Sequence, residues 1–482
     1  MRTSSTASVM WIVPSLTVLL LLEAGLLAKS IPAPNWDGKD HSEILKDLVL
    51  NYEDHTRDPR ENTECSANAS YTGQCNLDCQ CVDGKWKCCR LRKSVNNLSQ
   101  EEKDRFSQAF LTAATNEIYK PAMTSLIWSH AVFACYVVAR EAYIYNTEVS
   151  YHNLIVFALE NLLRLIDCHV TVPYWDISID YDKSYFEQLP EGFGGTGVPP
   201  DYCVMDGPFR KDNFKVPKFV YNGTELPYSD CLVRNVSSTF YPTSNMQFST
   251  LLAVPPESSV AVESGLFETF DANFHLAFRG SFKGLIPGLD PLFYMIHNFI
   301  NKIMANYQMQ GPEHLTGDGR WSNHVPLSTF PWFDGKSFLD CQNFPNEVCV
   351  KWDAALDEDR AVQMNYYAGL EVPRTHHIVV PYETIRLMDI DKKAQTDFKK
   401  LLALLKKKYS TFSFDSNGIR VGPGWEKDFE AGFFSLKNDP TPKKCQAYEN
   451  MDPNFIHTNS SSSLVELVYG DPKSGVNNDG KQ

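Results

Sequence analysis

The sequence predicts a mainly α-helical domain with loop-rich insertions and a disulfide-rich N-terminal segment. Two stretches carry the helical part. Leu154 to Ile166 places Leu154, Phe157, Ala158, Leu162 and Leu165 at helical spacing, and Pro291 to Met309 does the same with Phe293, Ile296, Ile300, Ile303 and Met304. Both are apolar nearly all round, as core helices of a bundle must be. The third observation is a crowd of six cysteines, Cys65, Cys75, Cys79, Cys81, Cys88 and Cys89, in a span too short to build a hydrophobic core of its own.

Taken in order, residues 1–28 read as a secretory signal peptide. Arg2 precedes an apolar run from Val9 to Ala28, which gives way to Lys29-Ser30. No later run approaches the length of a membrane span, so no stable membrane anchor is expected once the leader is cleaved. Residues 29–90 comprise a loose, polar lead-in to about residue 64 and then the cysteine cluster. In an oxidising compartment those cysteines are expected in disulfides rather than in a zinc cluster. The odd total of 13 cysteines leaves one thiol over, and the connectivity stays open.

A core domain is expected over 91–310. Ser99 with Glu102 three residues on is a capping box, so a helix should start there and bury Phe106, Phe110, Leu111 and Ala114. Residues 177–260, rich in Pro, Gly, Tyr and Ser, read as mainly surface loops. Residues 311–387 continue the core as loops and short strands, Arg374–Pro381 among them. Residues 388–482 form an extension, with an amphipathic helix over Met388–Tyr409 and a disordered tail from Thr458. Asn68, Asn97, Asn222, Asn235 and Asn459 each head a glycosylation sequon.

The formal charge of −14, from 45 basic and 59 acidic residues, offers no phosphate-binding stripe and argues against nucleic acid as a partner. There is no Gly-rich phosphate loop and no Gly-x-Ser-x-Gly elbow, so nucleotide-binding and hydrolase readings lack support.

Three segments carry a resemblance. They are Tyr151-His152 with Leu159-Glu160-Asn161-Leu162-Leu163-Arg164 after it, Val170-Thr171-Val172-Pro173-Tyr174-Trp175-Asp176, and Asp290-Pro291-Leu292-Phe293-Tyr294-Met295-Ile296-His297. In order and spacing they resemble the tyrosinase family of type 3 copper proteins, and in particular its secreted invertebrate members, mollusc shell-matrix proteins among them. The resemblance covers roughly 90–310. It implies a four-helix bundle around two copper ions, each held by three histidines. Imidazole suits copper in both oxidation states, and facing helices can close a cage around the metals.

Aligned on those motifs, His130 and His152 look like ligands of the first copper, and His275 and His297 like ligands of the second. Tyr143 stands where the first copper's remaining histidine belongs, and Asp271 where the second's does. Asn301, Met304 and Ala272 also depart from the family's usual residues. The implied activity is oxidation of phenols or o-diphenols to quinones, with small phenols or tyrosine-containing matrix proteins as partners and Phe293 or Tyr294 shaping substrate access. The competing expectation is a secreted structural protein that keeps the fold but is catalytically impaired. In that case the four histidines are packed polar groups, and Asp271 pairs with Arg279 along the same helix. His376-His377 is expected to be ordinary surface, and Cys135 and Cys168 to form disulfides rather than a histidine crosslink.

Overall fold

The computed structural model describes residues 33–52, 57–138, 148–177, 183–216, 220–221, 224–225, 230–238, 271–283, 287–311, 314, 340–353, 413–415 and 418–420. The chain divides into two units, Met1–Pro34 and Asn35–Gln482, and the second is the one described below. The leader, Arg374–Pro381, His376-His377, Met388–Tyr409 and the tail lie outside the described residues.

Among the described residues six α-helices form the body: α1 His41–Val49, α2 Gln100–Thr115, α3 Lys120–Val138, α4 Glu148–Ile166, α5 Ala272–Phe278 and α6 Pro291–Gln308. The expected cap forms as read. Ser99 Oγ accepts from Glu102 N while the Glu102 carboxylate accepts from Ser99 N, which satisfies two of the free donors at the start of α2. α6 is the central element, buried at every position from Pro291 to Ala305. Asp290 caps it, accepting from Leu292 N at 3.0 Å, and Pro291 occupies the first turn, where no amide donor is needed.

The lead-in is not loose. Asp40 and Glu43 make a second capping box, and α1 buries Ile44, Leu45, Leu48 and Val49 against α3 and α4. His41 at its start stacks on Trp128 with ring centroids 4.4 Å apart and meets Ser125 Oγ at 2.9 Å. The expectation of surface loops for 177–260 also needs correction where the chain is described. Segments 183–216 and 230–238 lack long elements, yet Tyr185, Phe193, Val204, Phe209, Phe214 and Leu232 are fully buried against the bundle. Aromatic residues spaced by Gly and Pro pack without helical or strand periodicity, so no pattern announces them.

A five-stranded sheet covers one end of the helices. It uses β1 Ser70–Thr72, β2 Asp78–Val82, β3 Lys85–Arg92, β6 Asn343–Phe344 and β7 Val348–Trp352 in the order β1-β2-β3-β7-β6. β3 and β7 run parallel and the other neighbours antiparallel. Asp83-Gly84 turns β2 into β3 with both residues left-handed (φ 50° and 76°), the two-residue hairpin that Asp-Gly favours. Two small hairpins complete the strands: β4 Val220–Tyr221 with β5 Thr224–Glu225, and β8 Ser413–Asp415 with β9 Gly418–Arg420.

All six clustered cysteines are in disulfides, so the zinc alternative falls. Cys65–Cys81 and Cys79–Cys88 close the cluster on itself, while Cys75–Cys168 and Cys89–Cys349 tie it to the helices and to β7. Cys203–Cys231 links the two loop segments. Cys168 is thus in a disulfide as expected, and the Cys135 side chain lies outside the described residues.

A buried charge network locks sheet to bundle. Glu160 on α4 accepts from Arg90 Nη1 (3.1 Å), Arg92 Nε (2.8 Å) and Val172 N (3.1 Å). Arg92 also reaches Asn298 on α6 (3.0 Å), and Asn298 donates to the Val172 carbonyl (2.7 Å). Asn161 accepts from Arg90 and donates to the Leu48 carbonyl of α1. One cluster therefore joins α1, β3, α4, α6 and the Val170–Asp176 segment. This explains why the sequence needs Glu160-Asn161 inside an otherwise apolar helix.

Candidate metal centre

Four helical stretches each bring one side chain or pair to a common point. α3 supplies His130, α4 supplies His152, and α6 supplies His297. His275 lies on α5, and Asp271 immediately precedes that helix in helical conformation (φ −61°, ψ −49°), one turn back. The i, i+4 spacing places Asp271 and His275 on one face. The depth of His297 is set by the anchoring of α6. Besides capping the helix, Asp290 receives Arg234 through Nε (2.6 Å) and Nη2 (2.8 Å), and Arg234 in turn donates to the Phe193 and Gly194 carbonyls.

Phe293 stands in the middle of the cluster. Its ring meets His130 at 4.8 Å, His297 at 4.3 Å, His152 at 5.9 Å and His275 at 6.2 Å, in each case tilted steeply to the imidazole. The His152 and His297 rings lie face to face, 3.8 Å apart and 1° from parallel. His130 sits 5.6 Å from His152 and stacks 6.4 Å from His275. All four histidines expected from the sequence are therefore brought together. Tyr143 lies outside the described residues. Tyr294 turns away from the cluster, onto Phe110 and toward Gly288, so among the described residues Phe293 rather than Tyr294 adjoins the histidines.

Asp271 does not pair with Arg279. The helix ends at Phe278, and Arg279 leaves it in a left-handed conformation (φ 48°) with an exposed side chain. Extrapolating two helical turns from Asp271 fails because the helix ends at Phe278, one residue short of Arg279. Asp271 instead directs Oδ1 at two imidazoles, with His275 Nε2 and His297 Nε2 each 3.3 Å away. The three donor atoms lie within 4.8 Å of one another.

The electrostatics of this group follow from its burial. Desolvation pushes the Asp271 carboxyl up, but the His275 and His297 imidazoles outweigh it and hold the group well below the usual carboxylate range. Burial pushes His275 down, and Asp271 beside it more than compensates, so His275 holds a proton more tightly than an ordinary histidine. Burial and the neighbouring His152 drive His297 well below its ordinary value, so it is neutral. Two further neighbours gave no signal in the sequence. The Phe282 carbonyl lies 2.6 Å from His275 Nδ1, which fixes the proton there. Tyr185, fully buried, has its phenol pushed up by burial and by the Asp271 charge.

Does this donor set fit a metal? Both ring nitrogens of His297 and Oδ1 of Asp271 are sealed from solvent and make no hydrogen bond. Buried polar atoms are rarely left so, and a cation bound beside Asp271 Oδ1 would engage that oxygen and the His297 Nε2 facing it. The Nδ1 contact of His275 to a backbone carbonyl is the usual support of a metal-binding imidazole, since it turns Nε2 toward the site. The residues present therefore fit a metal: Asp271, His275 and His297 offer three donor atoms within 4.8 Å of one another, and His130 and His152 adjoin them.

A helix bundle with imidazoles converging from facing helices defines a candidate metal-binding helical domain. The model of the common central domain of tyrosinase matches residues 145–310. A tyrosinase of Streptomyces antibioticus is 27% identical over 262 residues, covering 51% of this chain and 93% of its own. Tyrosinase ustQ of Aspergillus flavus is 23% identical over 250 residues, covering 46% and 65%. A polyphenol oxidase structure from Thermothelomyces thermophila aligns with a TM-score of 0.41 at 16% identity, over 55% of this chain and 89% of that one. Residues 145–310 thus carry the common central domain of tyrosinase, and the chain is similar to the tyrosinases, type 3 copper proteins that bind two copper ions.

Proposed function

We propose that this chain is a secreted tyrosinase-like copper oxidoreductase acting on phenols and o-diphenols, with turnover well below that of an all-histidine centre. The observation that carries the reading is the convergence of His130, His152, His275, His297 and Asp271 around Phe293, with the His297 nitrogens unsatisfied. Copper, when bound, supplies the electron transfer to dioxygen that turns o-diphenols into quinones. The chain's own residues prepare the site. His275 keeps its Nδ1 proton on the Phe282 carbonyl, leaving Nε2 for the metal. Phe293, fully buried, keeps water from between the imidazoles. Asp271 puts a negative charge where the family pattern has a neutral ring. With copper bound there, that charge would favour the oxidised ion, which is the reason for expecting attenuated turnover.

A second reading is a structural or matrix protein that keeps the fold without the reaction. It is favoured by the contacts of Asp271 Oδ1 with His275 of α5 and with His297 of α6, which are able to hold α5 to α6 without metal. Copper loading of the purified chain followed by a catechol oxidation assay separates the two. Bound copper with slow quinone formation supports the first, and a copper-free, inactive chain supports the second. Quinones would serve pigment formation or cross-linking of tyrosine-containing matrix proteins.

Secretion is supported by the apolar leader sequence and by the five disulfides among the described residues, which persist in oxidising compartments. Among the described residues no helix is long and apolar enough to cross a membrane. The sequons differ in access. Asn68 sits exposed on a left-handed turn, whereas Asn97 is half-buried and its Nδ2 donates to Asp353 at 2.7 Å. Site mapping by glycopeptide mass spectrometry is expected to find glycan on Asn68 and none on Asn97. Full occupancy at Asn97 would contradict the packing of Asp353 against that loop.

A further inference from the structure

The two halves of the cluster are chemically unlike. His130 and His152 offer only imidazole. Asp271, His275 and His297 offer two imidazole nitrogens and one carboxylate oxygen, within 4.8 Å of one another. We propose that Asp271 is itself a ligand and that this second position binds its metal as a divalent cation, discriminating against monovalent copper. The inference rests on reading the cluster as a metal centre, and it goes beyond the copper pair the family implies by giving the two positions different selectivities.

Asp271 Oδ1 is buried, makes no hydrogen bond, and is 3.3 Å from both Nε2 atoms. His297 has no hydrogen bond at either ring nitrogen, although its side chain is only 2% exposed. His275 has its Nδ1 against the Phe282 carbonyl and turns Nε2 to Asp271. A cation at the point these atoms share would take Asp271 Oδ1, His275 Nε2 and His297 Nε2 as ligands at once, in place of the protons that would otherwise bridge them. Two imidazoles and a carboxylate, with coordination positions left open, are the ligand set of zinc hydrolases and of non-haem iron(II) sites. A carboxylate is a hard anion and gains more from a doubly charged ion than from soft, monovalent copper. Copper(II) meets that demand as well as zinc does. Copper(I) does not, so reducing the centre should loosen the metal at this position and leave the His130–His152 position holding its own.

The test uses the full-length chain stripped of metal, with Zn²⁺, Co²⁺ and, under anaerobic reducing conditions, Cu⁺ as separate probes. Zn²⁺ binding is followed by calorimetry, Co²⁺ by its visible absorption, and Cu⁺ by competition with a chromogenic chelator. Asp271→Asn keeps the shape and removes the charge; Asp271→His restores an imidazole. Far-ultraviolet circular dichroism and thermal unfolding in chelator confirm that both variants fold. If Asp271→Asn fails to fold, the comparison of wild type with Asp271→His carries the test alone. The expected result is one Zn²⁺ or Co²⁺ per wild-type chain, weakened at least about tenfold by Asp271→Asn, as loss of even an outer partner does at metal sites. Cu⁺ should occupy one position in the wild type and two in Asp271→His. Zn²⁺ and Co²⁺ affinities indifferent to Asp271→Asn, or two Cu⁺ held equally by the wild type, would overturn this inference while leaving the copper reading intact. A chain that binds none of the three metals overturns both.

Discussion

Alanine at His297 is expected to remove one bound metal per chain and to cut o-diphenol oxidation by at least about 100-fold, since loss of supporting residues alone costs 10–100-fold at metal sites. His297 stands between the two halves. It stacks on His152 and shares Asp271 Oδ1 with His275, so its loss opens both positions. It also leaves Asp271 buried with one imidazole fewer. The control is His41→Ala. His41 is as buried as the cluster histidines but packs on Trp128 and Ser125 outside it. That variant should lose stability and keep its metal. Elemental analysis of both proteins, with catechol oxidation, checks the pair. Equal metal content in His297→Ala and the wild type would remove His297 from the ligand set.

Glu160→Ala is the largest expected stability effect. The carboxylate is fully buried and answers two buried guanidiniums, Arg90 and Arg92, and its removal strands both. Breaking such a pair costs about 3–5 kcal/mol, a fall in melting temperature on the order of 10 °C. The pH dependence follows from the same group. Burial pushes Glu160 up, but Arg92 and Arg90 outweigh it and hold the carboxyl below its ordinary value. A depressed carboxyl contributes stability that is fully present above the unfolded value, about 4.3, and is lost as pH falls through the lower folded value. Thermal unfolding of wild type and Glu160→Gln should therefore differ most above pH 5 and converge in acid. A gap that widens as pH falls below 4 would contradict the assignment.

Much of this was legible from residues. The capping box at Ser99, the apolar faces of Leu154–Ile166 and Pro291–Met309, and the disulfide use of Cys65 to Cys89 are local signals, and each appears as read. The four histidines were found through motif order and do converge. What was missed is non-local. The helix His41–Val49 is short and polar on one side, so a window average reads it as lead-in, yet its inner face completes the bundle. The loop aromatics Phe193, Phe209 and Phe214 bury without periodicity. The partner of Asp271 was misread because helix length was extrapolated past Phe278, where Arg279 turns left-handed ahead of Gly280. An alanine at Gly280 would put its Cβ 2.4 Å from the Val233 carbonyl, a close approach that forces the helix to stop and that only the fold reveals.

The central claim is that His130, His152, Asp271, His275 and His297 form a metal centre with two positions. Its most direct test is the copper content of the purified chain after loading with Cu²⁺ and exhaustive dialysis, measured by elemental analysis beside His297→Ala. The account predicts about two coppers per wild-type chain and a clear loss in the variant. A folded wild-type chain that retains none would contradict it and leave the cluster as a packed, metal-free remnant of the fold.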